Sequence, residues 1–138
     1  MSELPDNNVD EARRVLGQAM DELQTARHLA GSSEYPGRIA CFLAHLAAEK
    51  AIKALLTFRE LPYRRIHDLV ELVRLLPSDD QYDFAEVDLE SLNRWSLDGR
   101  YPDVHIDASA ETTVLVLEAA EYIVTSTTTT IREDNPYG

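Results

Sequence analysis

Apolar side chains recur three or four residues apart at Val9, Ala12, Leu16, Ala19, Leu23, Ala26 and Ala30. That spacing returns to one face of a helix, so the first element is a one-sided helix, with Asn8 placed to cap it, Glu11 in the capping-box position and Gly31 to end it. After the turn SSEYPG, residues 38–59 read RIACFLAHLAAEKAIKALLTFR, apolar around most of the circumference and broken only by His45, Glu49, Lys50 and Lys53. A helix of that kind belongs in the middle of a bundle. Pro62 closes it. RIHDLVELVRLLP then supplies a shorter helix whose Leu69, Leu72, Val73 and Leu76 share a face before Pro77. A polar, acidic piece follows, and DLESLNRWSL gives a short helix with Leu89, Leu92 and Trp95 inward. Gly99 and Pro102 interrupt the chain. A last long helix runs from Ala108 past Val124, with Val114, Leu117, Ala120 and Val124 on one side and Asp107 or Ser109 as its cap. The Thr-rich end, residues 126–138, has low helix propensity and is expected to fray, as are residues 1–7.

No stretch alternates with period two, and there is no internal repeat or glycine-rich phosphate loop. The expected fold is all-α, an up-and-down bundle of four to five helices forming one domain over residues 1–138. A chain of 138 residues with 44% hydrophobic content is large enough to bury a core without disulfides or metal. The lone Cys41 offers neither a disulfide nor a CxxC site, and no leader or long apolar run appears, so a soluble, cytoplasmic protein without membrane contact is expected. The net charge of -12 argues against a protein that coats nucleic acid through a broad basic surface. It leaves room for a basic cleft. Arg59, Arg64, Arg65, Arg74, Arg94 and Arg100 fall in the middle of the chain, while acidic residues crowd both ends.

Three stretches, FLAHLAAEKAIKALL, HDLVELVRLL and RYPD, spread in that order from Phe42 to Asp103, and together the chain resembles the HEPN domain. The resemblance implies a helical bundle that dimerises and is often encoded beside a minimal nucleotidyltransferase. It also implies, for many members, metal-independent RNase activity in toxin–antitoxin or defence systems, carried by an Arg and a His with four to six residues between them.

Arg100 and His105 have four residues between them and precede the last helix, where the resemblance places the pair. A guanidinium grips phosphate oxygens as a planar fork, and an imidazole moves protons near neutral pH. On RNA, His105 would serve as general base or acid for attack of a ribose 2′-hydroxyl on the adjoining phosphate, Arg100 would stabilise phosphoryl charge, and Asp103 is the third candidate. One such pair supplies one acid/base group, which is why a homodimer with two facing pairs is expected. The stretch departs from the active pattern at Tyr101, where a small polar residue is usual, and at Asp107, where some toxins carry a tyrosine that the partner enzyme modifies. The competing reading is a turn in which Arg100 and Asp103 form a loop salt bridge or cap and His105 is a loop residue.

Arg38 and His45 also fit the spacing, but two helical turns separate them along the axis by roughly 10 Å, so His45 reads as a buried or interface histidine with a satisfied hydrogen bond. His67 reads as capping or orienting the third helix beside Asp68, or, with Arg64 and Arg65, as contacting phosphate. Glu49 and Lys53 read as i,i+4 helix support or as a polar stripe facing a partner subunit. Tyr82, Trp95 and Tyr122 read as core or interface anchors. No metal-ligand spacing appears, and neither a metal nor a cofactor is expected. The leading functional expectation is a dimeric HEPN ribonuclease silenced by a nucleotidyltransferase-type antitoxin. The alternatives are a non-catalytic module that binds nucleotide or protein through the same cleft, and an all-α adaptor whose resemblance stops at the fold.

Overall fold

The computed structural model describes residues 7–96 and 107–135. Among them the chain forms six helices and no strand: α1 (Asn8–Ala30), α2 (Gly37–Phe58), α3 (Leu69–Arg74), α4 (Ser78–Asp83), α5 (Leu89–Asn93) and α6 (Ala110–Asp134). The all-α expectation holds, and α4 is the element added to the expected four or five. It forms in the acidic piece because Asp79 and Asp80 suit the positive end of a helix, while Asp80 is buried against Arg59.

The short turn between α1 and α2 folds them back along each other, and α6 packs over both, so α2 is the central helix. Ala40, Ala44, Ala47, Ala48, Ala51 and Ala54 of α2 are all buried, and their small side chains allow both long neighbours to approach closely. The periodic set of α1 is buried except for Ala30, and the expected faces of α3 and α5 point inward. On α6 the buried face consists of Thr113, Val116, Ala120, Ile123, Val124, Thr127 and Ile131. Val114, expected inside, is 52% exposed beside the exposed Leu115, because the face turns on Thr113 and Thr127, polar residues that pattern reading discounts.

The helix ends show how the bundle is fastened. Asn7, one residue before the expected cap, accepts from the Asp10 N–H at 2.8 Å. Asn8 instead donates to the Phe58 carbonyl at 2.8 Å, tying the start of α1 to the end of α2. Ser109 caps α6 by accepting from the Thr112 N–H, whereas Asp107 serves α2: its Oδ1 accepts from the Arg38 N–H at 2.8 Å. Those backbone donors hold its carboxyl below the usual carboxylate range, the Arg38 N–H first among them. Gly37 makes the contact sterically feasible, since a Cβ there would stand 2.5 Å from the Ala108 carbonyl and 2.6 Å from Thr113 Oγ1.

α6 continues through the Thr-rich residues, where propensity is low, to Asp134. Tertiary anchors override propensity here. Ile131 and Thr127 are buried, and Arg59 reaches across from the end of α2 to Asp80 at 2.8 Å and Asp134 at 2.7 Å. Asp80 and Asp134 hold the guanidinium pKa above its already high ordinary value.

Candidate functional site

The site begins where α2 ends. Glu60 takes a left-handed conformation (φ 60°), its N–H donating to the Thr57 carbonyl and the Leu61 N–H to the Leu56 carbonyl at 2.9 Å. This paired closure terminates a helix and reverses the chain, and Pro62 prevents its resumption. Residues 61–68 then run back toward the middle of α2, which brings His67 against Glu49.

Asp68 stops this run by capping α3. Its Oδ1 accepts from the Val70 N–H and, at 2.9 Å, from the Asn93 side chain, whose own oxygen accepts from the Leu69 N–H at 2.9 Å. Asn93 therefore locks the end of α5 to the start of α3. Between them lies a cleft of about 560 Å³ lined by Arg64, Arg65, Ile66, His67, Asp68, Glu71, Asn93 and Ser96.

Behind the cleft is a buried carboxylate. Glu49 is 4% exposed, and its Oε2 receives Lys53 Nζ at 2.7 Å and His67 Nδ1 at 2.8 Å, while His45 Nδ1 stands 3.9 Å from Oε1. A carboxylate inside a bundle is costly unless paired, and here two cationic or hydrogen-bonding groups from different elements share it. Lys53 also lies over the Tyr63 ring, 5.7 Å from its centroid.

Glu49 and Lys53 are thus neither exposed helix support nor a stripe for a partner subunit. His67 does not cap α3, a role Asp68 fills, but docks on α2 and leaves a half-exposed ring in the cleft wall. His45 is buried as expected, yet its Nε2 has no hydrogen-bond partner of good geometry, although the Asn93 side chain and the His67 backbone are among its polar neighbours. Burial pushes its pKa down, and Glu49 pulls it the other way. The signal for the Glu49–His67 pairing was present in the sequence: an acid on the most apolar helix must find a partner, and the partner comes from another element.

Arg64 and Arg65 form no ion pair among the described residues, and the cleft lining sets their guanidinium groups and the His67 imidazole near the carboxylates of Asp68 and Glu71. Arg100, Asp103 and His105 lie outside the described residues. The segment that carries them leaves from Ser96 in the cleft lining and ends at Asp107 on the N-terminus of α2. Among the described residues no group of His, Cys, Asp and Glu is placed to hold a metal ion, and no helix is long and apolar enough to cross a membrane.

The HEPN domain family model matches residues 12–129. A solved structure described as an archaeal HEPN homologue is 26% identical, covers 87% of this chain and 97% of its own, and superposes with a TM-score of 0.65. No curated protein matches the sequence.

Proposed function

The chain belongs to the HEPN domain family, and on that premise we propose that it is a metal-independent endoribonuclease of the toxin type, acting as a homodimer and silenced by a nucleotidyltransferase partner. The observation that supports this reading is the arginine-lined cleft, whose lining includes Ser96, the residue from which the segment bearing Arg100, Asp103 and His105 departs. Arg64 and Arg65 would draw the RNA backbone in, Arg100 would hold the phosphoryl oxygens, and His105 would move a proton during attack of the 2′-hydroxyl. The exposed apolar pair Val114 and Leu115, near the start of α6, suits the face of a second copy.

The test compares wild type with His105→Ala, Arg100→Lys and Asp103→Ala, measuring cleavage of single-stranded RNA in chelator alongside thermal melts. His105→Ala and Arg100→Lys should abolish cleavage with melting unchanged, since lysine replaces a planar fork with a point charge. Equal cleavage by wild type and His105→Ala, or activity lost to chelator, overturns the assignment. Nucleotide or protein binding without cleavage in wild type identifies the non-catalytic module instead.

A further inference from the structure

We infer that His67 is a proton-transferring residue of the cleft and that Glu49 is its positioning residue, an inference that rests on the ribonuclease reading. Three observations meet here. First, Glu49 is buried on α2 and already has Lys53 as a partner on its own helix, yet it also engages His67 from a separate segment at 2.8 Å. Second, a carboxylate only accepts, so the hydrogen of the neutral ring sits on Nδ1 and the lone pair on Nε2. Fixing the orientation of the ring is part of the work a carboxylate does behind a general base. Third, the ring forms part of the wall that Arg64 and Arg65 line, so a phosphodiester held by those guanidinium groups lies beside it.

The step balances without an added reagent. Nε2 of His67 removes the proton of a ribose 2′-hydroxyl, and the 2′-oxygen forms a bond to phosphorus. The bond from phosphorus to the 5′-oxygen breaks, and that oxygen takes a proton from water or from the second histidine of the ribonuclease reading. The products are a 2′,3′-cyclic phosphate and a 5′-hydroxyl end. His67 then returns its proton to solvent.

The deciding variant is His67→Asn, whose amide keeps a donor toward Glu49, compared with His67→Ala and wild type in steady-state RNA cleavage across pH. In His67→Asn, kcat should fall about 100-fold, the usual scale for a lost proton-transfer group, with KM and melting temperature unchanged. Added imidazole should restore part of the His67→Ala rate. Glu49→Gln should lower kcat without raising KM. If wild type cleaves RNA and His67→Asn matches its rate, or if activity in His67→Ala falls only with the folded fraction and imidazole restores none, the role of His67 is overturned and the ribonuclease reading stands. Absence of cleavage by wild type removes both.

Discussion

Thr127 lies fully buried on α6 with its hydroxyl oxygen lacking a hydrogen-bond partner among the described residues. Removing an unsatisfied buried hydroxyl at constant shape recovers its desolvation cost, so Thr127→Val should raise the free energy of unfolding by about 1 kcal/mol in urea denaturation. A loss of stability would mean that the hydroxyl is satisfied in solution. His45 sets a pH dependence. Burial depresses its pKa below the ordinary 6.5, with Glu49 opposing, and Glu49, Lys53, His67 and Asn93 are the polar groups around it. A depressed folded-state pKa means the unfolded chain binds the proton more readily. This contribution is therefore complete above about pH 6.5 and is lost as pH falls from there through the folded value. Melting temperature should drop over that interval in wild type and drop less in His45→Leu; equal slopes would remove His45 as the cause. The burial of His45 was legible from its apolar helix. Its unmatched Nε2 was not, because pattern shows that a residue is inside but not what meets its polar atoms.

At the level of elements, the junction between the starts of α2 and α6 is tightly packed. Gly37 sits against Ala108 and Thr113, and Asp107 reaches back to the Arg38 N–H. Alanine ordinarily stabilises a helix relative to glycine, but here its Cβ would press on a carbonyl, so Gly37→Ala should destabilise the protein by about 1–3 kcal/mol, the scale of overpacking. A rise in melting temperature would show that the junction is loose. The positions and inward faces of α1, α2 and α3 were readable because each carries a long or uniformly apolar repeat. The C-terminal half of α6 was not, since threonines on a buried face disguise the period, and the ion pairs from Arg59 that hold its end join residues far apart in sequence. The same reason hid the site: Glu49 and His67 were each visible, but their contact depends on the reversal at Glu60 and the return of the chain along α2.

Across the whole molecule, a chain of net charge -12 gathers Arg64 and Arg65 at one cleft beside a histidine that a buried carboxylate holds in place. A strongly acidic protein repels RNA over most of its surface, so on the ribonuclease reading the cleft is where a phosphodiester would meet cationic partners. The Arg–His spacing and the resemblance were legible in the sequence, and they direct the ribonuclease reading to the segment between Ser96 and Asp107. The most direct measurement incubates the purified protein with a single-stranded RNA in excess chelator, beside the same oligonucleotide built with 2′-deoxyribose, and identifies the termini of the products. The expected result is cleavage of the RNA to 2′,3′-cyclic phosphate and 5′-hydroxyl ends with the deoxy strand intact; an intact RNA, or equal cleavage of both strands, contradicts it.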